Sequence, residues 1–311
     1  MEAVEALKAK INRLKKEKNA VVMAHYYVRP EIQDVADRIG DSLALARMAA
    51  ELDEPVIVLC GVNFMGETAK ILCPDKTVLL PDPEAGCSLA DSCRASDFAR
   101  FIAEHPDHTV ISYVNTSAEV KALSDVLVTS SNARQIVDSF PVDEKIIFGP
   151  DRNLGGYINA ETGRSMVLWD GACHVHEQFS VEKIAELKRE HPQALVLAHP
   201  ECKKPVLLLA DKVGSTAALL QFAIEAPAGS EFIVATESGI LHEMQKKCKD
   251  KVFYPAPPMA GGCACNDCSF MKLNTLQKLA DCLENMAPEV TVDPLVAEKA
   301  LVPIRRMLEL S

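Results

Sequence analysis

The chain has 311 residues, 48% of them hydrophobic, which suffices for two or three domains with ordinary cores. Its net charge of −11 at pH 7 disfavours nucleic acid as a partner, because binding to phosphates needs a basic surface. The sequence has no apolar run of the about eighteen residues that a membrane span requires, so we expect no membrane partner either.

The N-terminal segment predicts a helix rather than a secretory signal. Over residues 2–18, Val4, Leu7, Ile11 and Leu14 share one helical face, and charged residues interrupt any apolar core. We therefore expect a cytoplasmic protein. In a reducing cytosol, the eleven cysteines favour metal binding or catalysis over a disulfide framework.

A strand, a loop and a helix are predicted over residues 21–46. An apolar run ends on His25, Tyr27 lies two positions further on, and a helix-like run opens at Ser42. Polar side chains at the carboxyl end of a strand are the groups that open parallel sheets present to a ligand. His25 and Tyr27 are therefore candidate site residues.

The same layout occurs three times along the chain. Counting from the polar residue that ends the strand, a polar residue comes at +2, an aspartate at +12 and a hydroxyl at +17. The three copies are His25, Tyr27, Asp37 and Ser42; Tyr113, Asn115, Asp125 and Ser130; and His199, Glu201, Asp211 and Thr216. Identical offsets predict a triplicated α/β unit rather than three unrelated ones.

Each copy continues with two more apolar runs and then a cysteine in a loop of small residues. The cysteines are Cys87 in the first copy, Cys173 in the second, and Cys263, Cys265 or Cys268 in the third. The repeat therefore predicts three domains and a final amphipathic helix that packs on the first of them, with boundaries at 1–88, 89–174, 175–293 and 294–311.

The three repeated hydroxyls are candidate anion contacts. A pseudo-threefold axis would bring the helix starts at Ser42, Ser130 and Thr216 together. Free N–H groups and the helix dipole favour anions at such a place. For any one serine alone, an ordinary N-cap is the simpler interpretation.

One cysteine from each domain indicates a metal centre at a three-way interface. A zinc ribbon draws its ligands from close pairs, whereas three thiolates leave one iron of a [4Fe–4S] cube without a protein ligand. That iron can act as a Lewis acid on a substrate hydroxyl, which is then lost as water. Glu201, beside His199, is the best candidate for a general base. Cys173 and His176 also resemble half a zinc site.

The chain resembles the quinolinate synthases, the iron–sulfur enzymes of NAD biosynthesis. The resemblance rests on motifs along nearly the whole chain: AHYY, YVNTSAE, TSSNA, FGPDRNLGGY, CHVH, HPECKKPV, VGST, ATESGILH and CSFMKLNT. It implies an α/β fold of three pseudo-threefold-related αβα three-layer domains with short parallel sheets around a central active site. It also implies a transferase that joins iminoaspartate with dihydroxyacetone phosphate, forming quinolinate and releasing phosphate and two waters.

The resemblance further implies a cofactor and partners. One [4Fe–4S] cluster per chain would be held by Cys87, Cys173 and Cys268. The last of these matches the family's ligand, which directly precedes a stretch like SFMK, although repeat spacing alone favours Cys263. An aspartate-oxidising enzyme would supply iminoaspartate, and the protein would be a monomer or a homodimer.

The resemblance also implies the remaining site residues. The substrate contacts would be His25, Ser42, Tyr113, Asn115, Ser130, His176, His199, Glu201, Ser215 and Thr216. Glu201 would move protons on the triose phosphate, with Tyr27, His199 and His25 as the other catalytic residues. His176 would lie near the cluster.

Two other functions stay open on the sequence. One is another [4Fe–4S]-dependent hydro-lyase acting on a small hydroxy acid, which activity with a triose phosphate would exclude. The other is a zinc-stabilised repeat scaffold that binds partner proteins, which the brown colour of a cluster would exclude.

Overall fold

The computed structural model describes residues 2–259 and 266–311, and these ranges contain three four-stranded sheets. All strand pairs within the sheets are parallel. Each sheet has the same order, in which the second strand along the chain lies at one edge, followed by the first, third and fourth. This architecture confirms the predicted fold class of α/β layers with short parallel sheets.

The strands are short, as expected. The first sheet consists of β1 (Ala20–His25), β2 (Arg38–Gly40), β3 (Val56–Cys60) and β4 (Thr77–Leu79). The second consists of β5 (Thr109–Tyr113), β6 (Val126–Val128), β7 (Ile146–Gly149) and β8 (Val167–Leu168). The third consists of β9 (Leu195–Ala198), β10 (Lys212–Val213), β11 (Glu231–Ala235) and β12 (Val252–Pro255). The inner strands are buried almost throughout, which is typical of parallel sheets covered on both faces.

Helices connect the strands and cover the sheets. Up to the end of the second sheet they are α1 (Glu2–Lys18), α2 (Pro30–Val35), α3 (Ser42–Glu51), α4 (Asn63–Leu72), α5 (Ser88–Asp91), α6 (Ala95–Ala103), α7 (Ala118–Lys121), α8 (Ala133–Asp138) and α9 (Arg152–Thr162). Beyond it they are α10 (His174–Glu177), α11 (Val181–Glu190), α12 (Lys204–Leu207), α13 (Thr216–Glu225), α14 (Ile240–Lys247), a 3₁₀ turn (Met271–Leu273), α15 (Leu276–Asn285) and α16 (Pro294–Glu309). Within the described ranges, every helix is too short or too polar to cross a membrane.

The final helix, α16, joins two of the repeated units. It packs against α4, which lies beside the first sheet, and also against α7 and β6 of the second unit. Its apolar face buries Ile304 and Met307 completely. The sequence predicts packing on the first unit, and the structure adds the contact with the second. The proposed domain boundaries stay a prediction.

The repeated aspartate at +12 has a structural role in all three units. Each side chain accepts a hydrogen bond from a backbone N–H of the first strand: Asp37 from Val22 at 2.9 Å, Asp125 from Val110 at 2.7 Å, and Asp211 from Val196 at 2.8 Å. The aspartate's own N–H donates to the carbonyl of the same strand residue in each case. This two-way link fixes the edge strands β2, β6 and β10, which are too short for the sequence pattern to reveal.

Replacing Asp125 with alanine is expected to lower the free energy of unfolding by about 1–3 kcal/mol, because the N–H of Val110 then loses its partner. Chemical denaturation of Asp125→Ala would measure this. Asp143→Ala, at an exposed position, is the matched control. Equal stability of the two variants would contradict a structural role for the repeated aspartate.

Candidate active site

The carboxyl ends of β1, β5 and β9 meet at one cavity. His25, Tyr113 and His199 end or directly follow these strands, and all three are buried. The cavity encloses about 710 Å³, counting the part open to solvent. Polar side chains from several strands converge there, as is typical of small-molecule sites.

The cavity brings together thirteen of the fourteen residues predicted as site residues. Those that line it are His25, Tyr27, Ser42, Cys87, Tyr113, Asn115, Ser130, Cys173, His176, His199, Glu201, Thr216 and Cys268. The exception, Ser215, is buried as the N-cap of α13 and accepts a hydrogen bond from the N–H of Ala218 at 3.3 Å. Cys263 and Cys265 fall outside the described residues.

The cap position explains why two of the three repeated hydroxyls face the cavity. The helix start predicted at Ser130 is wrong, because Ser130 lies in a turn and α8 begins at Ala133, after its N-cap Asn132. Asp41 is the N-cap of α3 and accepts from the N–H of Ala44 at 3.0 Å, so Ser42 is the first residue of the helix. Ser215 and Thr216 have the same relation in α13. The ordinary capping role thus belongs to the preceding residue. Ser42 and Thr216 line the cavity at helix starts, where an anion is favoured.

Two buried histidines, His25 and His199, make the same hydrogen bond and each directs a ring N–H at the cavity. The backbone N–H of Tyr27 donates to Nδ1 of His25 at 3.2 Å, and that of Glu201 donates to Nδ1 of His199 at 3.4 Å. With Nδ1 accepting, the proton of each neutral ring is on Nε2. His199 Nε2 lies 3.2 Å from the hydroxyl of Ser130, whose own proton then remains available to a ligand.

Burial lowers the pKa of both histidines, from 6.5 to about 4 for His25 and to about 3 for His199. Nearby carboxylates oppose this shift but do not cancel it. The two rings are therefore neutral at physiological pH. They can donate hydrogen bonds without adding charge.

The lowered pKa of His25 predicts a loss of stability on acidification. Between pH 6.5 and about 4, His25 is protonated in the unfolded chain but still neutral in the folded chain. The free energy of unfolding therefore decreases as the pH falls through this window. Relative to His25→Gln, wild type should lose about 2 kcal/mol between roughly pH 7 and pH 5. Denaturant titrations at both pH values measure this. A pH-independent difference between the two proteins would contradict it.

Glu201 is the central carboxylate of the cavity. Its Oε1 accepts a hydrogen bond of 2.5 Å from the hydroxyl of Tyr113, and its Oε2 lies 2.9 Å from Nδ1 of His176. Burial opposes ionisation, but contacts with His176, His199 and Tyr113 outweigh it and lower the pKa of Glu201 to about 2. Glu201 is therefore ionised in the free protein, the state a base requires.

Asn115 offers the cavity an unpaired acceptor. Its Oδ1 is buried and has no hydrogen-bond partner among the described residues. A buried polar atom without a partner costs free energy, so a ligand that donates to Asn115 would relieve this cost. Asn115 is therefore a candidate ligand contact.

Three cysteines open helical turns that face the cavity. Cys87 is the N-cap of α5 and Cys173 is the N-cap of α10. Cys268 lies two residues before Phe270, the N-cap of the 3₁₀ turn, and its carbonyl accepts from the N–H of Lys272 at 3.1 Å. Backbone N–H groups of the following turn point at each sulfur. Burial nevertheless raises the pKa to about 12 for Cys87 and about 11 for Cys268, and well above the usual value for Cys173. A metal would favour the thiolates and reverse this penalty.

Other cysteines of the described chain pack in the core. Cys60, Cys93, Cys202, Cys248 and Cys282 are each at most 2% exposed. Cys173, His176 and Glu201 could together hold a metal ion, because the sulfur of Cys173 and the ligand atoms of the other two side chains lie within 4.8 Å of one another. A group that could hold a metal ion is therefore present, and it shares Cys173 with the predicted ligands.

The sequence analysis did not single out Glu237, although it belongs to the motif ATESGILH. Glu237 is buried and accepts hydrogen bonds from the backbone N–H of Cys268 at 2.9 Å and of Gly239 at 2.7 Å. Lys272 Nζ lies 2.8 Å from the same carboxylate and donates to the carbonyl of Tyr27 at 2.7 Å. Glu237 and Lys272 thus fix Cys268 relative to Tyr27. The sequence signal that could have revealed Glu237 is its place two residues beyond the end of β11, in the polar stretch that follows the strand.

Comparison with known proteins agrees with this site. Residues 9–309 match a protein-family profile described as Quinolinate synthetase A protein. The chain belongs to this family. Quinolinate synthases of Microcystis aeruginosa and Chloroherpeton thalassium are 57% and 58% identical to it, each over 301 residues. The matched residues are 97% of this chain in both cases, and 94% and 93% of the respective relatives.

Membership of the quinolinate synthase family confirms the resemblance drawn from the motifs. Each alignment spans almost the full length of this chain and of the relative, so it covers all three sheets and the cavity between them. A quinolinate synthase from a Nostoc species shows the same extent, with 58% identity over 303 residues. The chain is accordingly an enzyme of this type.

Proposed function

We propose that the protein condenses iminoaspartate with dihydroxyacetone phosphate to form quinolinate, with release of phosphate and two waters. The observation that carries the proposal is the single cavity lined by one cysteine from each repeated unit and by the ionised carboxylate of Glu201. Family membership supports the same reaction. We further propose that the enzyme works in the cytosol as a monomer or a homodimer, supplied by an aspartate-oxidising enzyme.

Cys87, Cys173 and Cys268 would hold one [4Fe–4S] cluster. The fit rests on three sulfurs at one cavity, each at the start of a helical turn whose N–H groups point at it. When bound, such a cluster supplies a Lewis acid at the iron that lacks a cysteine ligand. His176 lies beside this centre, because its ring is within 4.8 Å of the sulfur of Cys173.

The substrates carry carboxylates and a phosphate, and the cavity offers them hydrogen-bond donors. The starts of α3 and α13 supply free N–H groups and the hydroxyls of Ser42 and Thr216. Ser130 and His25 add further donors from the other sides of the cavity. These groups bind the anionic ends of both substrates and leave the reacting carbons near Glu201.

Glu201 would act as the base that takes a proton from the triose phosphate. Tyr113 fixes the orientation of the carboxylate through Oε1, so that a bound substrate meets a defined acceptor. His199 and His25, as neutral rings with N–H groups, would donate hydrogen bonds to oxygens that gain charge in the reaction. Tyr27 completes the cavity wall beside Thr216.

Phosphate release from a triose phosphate, compared with dehydration of a hydroxy acid such as malate, separates the proposal from its alternative. Anaerobically purified protein is incubated with dihydroxyacetone phosphate and iminoaspartate, and release of inorganic phosphate is followed. The proposal expects phosphate release that depends on both substrates. A hydro-lyase on a small hydroxy acid, the alternative, would instead dehydrate a compound such as malate and leave the triose phosphate intact.

A further inference from the structure

The turn that carries Ser130 has the backbone of a helix start but lacks the usual capping side chain. Asp41, Thr129 and Ser215 directly precede the three repeated hydroxyls. The carbonyl of each accepts from the N–H group four positions further on, at 2.9 Å in all three cases. The side chains of Asp41 and Ser215 also cap their helices, whereas α8 begins only at Ala133. A different contact must therefore hold Ser130 in its place.

The side chain of Asn132 supplies that contact. It is 3% exposed and stands at the N-cap of α8, where an asparagine normally accepts from a helix N–H group, yet it makes no capping hydrogen bond. Its Oδ1 instead accepts from the backbone N–H of Thr129 at 2.6 Å and from the hydroxyl of Thr129 at 3.2 Å. The amide thus closes the turn in which Ser130 faces the cavity, 3.2 Å from Nε2 of His199.

The end of α16 fixes the orientation of this amide. Because the N–H of Thr129 is a donor, the atom that faces it is the amide oxygen, and the amide nitrogen faces the other way. Nδ2 of Asn132 donates to the hydroxyl of Ser311 at 2.6 Å, and this hydroxyl donates to the carbonyl of Met307 in α16. The turn is therefore held against the helix that also packs on the first unit.

A further contact ties the turn to the helix that Ser42 opens. The hydroxyl of Ser131 donates to Oδ2 of Asp41 at 2.8 Å, while Oδ1 of Asp41 caps α3. Ser42 and Ser130 are thus the direct neighbours of two residues that share one hydrogen bond between the first and second units. The spacing between their two hydroxyls depends on the shape of the turn.

We infer that Asn132 is a positioning residue, whose amide holds Ser130 beside His199 and takes its own orientation from Ser311. Asn132 itself does not line the cavity. The inference rests on the proposed function in one respect, namely that Ser130 contacts a substrate. It gives the end of α16 a part in substrate binding, although this helix lies outside the cavity wall.

A second asparagine of the chain provides a matched control. Asn132→Leu keeps the approximate size of the side chain and removes all of its hydrogen bonds. Asn159 also closes a turn with its amide, accepting from the N–H of Met166 at 2.9 Å and donating to the carbonyl of Met166 at 3.3 Å. It does not line the cavity, so Asn159→Leu removes a comparable set of bonds without touching the site. Tm values show how far each change affects folding.

The kinetic test uses the full chain with its cluster, purified without oxygen. Asn132→Leu is expected to raise KM for at least one substrate about 10-fold, with kcat within about 3-fold of wild type, because a displaced binding hydroxyl weakens the ground state and the transition state alike. Asn159→Leu should leave both constants near wild type. Ser311→Ala removes only the acceptor of Nδ2 and should raise KM about 3-fold. This milder variant decides the question if Asn132→Leu does not fold.

Hydrogen exchange reports on the turn itself and does not depend on activity. The N–H of the buried Thr129 donates to Oδ1 of Asn132, so its exchange should be about 10-fold faster or more in Asn132→Leu. The same N–H should exchange at the wild-type rate in Asn159→Leu. Backbone NMR, or mass spectrometry of a peptide that covers residues 126–133, measures the rate.

Three results would overturn the inference: wild-type KM values in Asn132→Leu, an equal rise of KM in Asn159→Leu, or unchanged exchange at Thr129 in Asn132→Leu. A wild-type KM in Ser311→Ala would refute the part assigned to Ser311. Wild-type protein that turns over neither substrate would instead count against the proposed function, and exchange at Thr129 would still decide whether Asn132 holds the turn.

Discussion

Replacing Cys87, Cys173 or Cys268 with alanine is expected to abolish iron binding and quinolinate formation, whereas wild type should contain about four irons and four sulfides per chain. Each cysteine comes from a different repeated unit and opens its own helical turn at the cavity. Removal of any one leaves two thiolates, which cannot hold a cube at three corners. Iron and acid-labile sulfide, together with the visible spectrum of anaerobic protein, measure the effect.

The matched control for this series is Cys202→Ala. Cys202 is fully buried next to the cavity residue Glu201, but its sulfur donates to the carbonyl of Ala235 at 3.3 Å and it does not line the cavity. This variant should keep its iron and lose only a little stability. Cys263→Ala should also keep its iron. A full iron content in Cys87→Ala, or zinc in place of iron in wild type, would refute the assignment of ligands.

Replacing Glu201 with glutamine is expected to lower kcat by about 1,000-fold, within the range that a general base contributes. Glutamine has nearly the same shape, and its amide oxygen can still accept from Tyr113. It lacks the charge and the basic oxygen, so the variant tests chemistry rather than packing. Steady-state kinetics with both substrates, with cluster content measured in parallel, would separate kcat from KM.

Glu177→Gln is the control for Glu201→Gln. Glu177 is a half-buried glutamate on α10 that accepts from Asn153 at 2.6 Å and does not line the cavity. Its replacement should leave kcat close to wild type. If Glu201→Gln retained wild-type kcat, or if Glu177→Gln lost as much activity, the proposed base would have to be sought elsewhere.

The repeat made much of the site predictable. Identical offsets placed His25, Tyr113 and His199 at strand ends, and parallel sheets present such residues at one edge. The same offsets marked Ser42 and Thr216 as helix-start hydroxyls that face the cavity. A periodic pattern predicts these positions because each unit folds alike and meets the others at a common centre.

Other features depend on single contacts that no periodicity records. The aspartates at +12 repeat as regularly as the site residues, yet Asp37 and its equivalents hydrogen-bond to their own strands. Sequence alone cannot separate a repeated structural residue from a repeated ligand contact. Glu237 contacts Cys268, which is distant in sequence, and Cys268 was chosen over Cys263 by family resemblance only.

The measurement that tests the central claim most directly is a labelling experiment. Anaerobic wild-type protein is given iminoaspartate and dihydroxyacetone phosphate labelled with ¹³C at every carbon, and the products are analysed by mass spectrometry. The proposed function predicts quinolinate that contains all the labelled carbons, together with one phosphate released per ring formed. Phosphate release without labelled quinolinate, or no reaction by protein that carries a full complement of iron and sulfide, would contradict it.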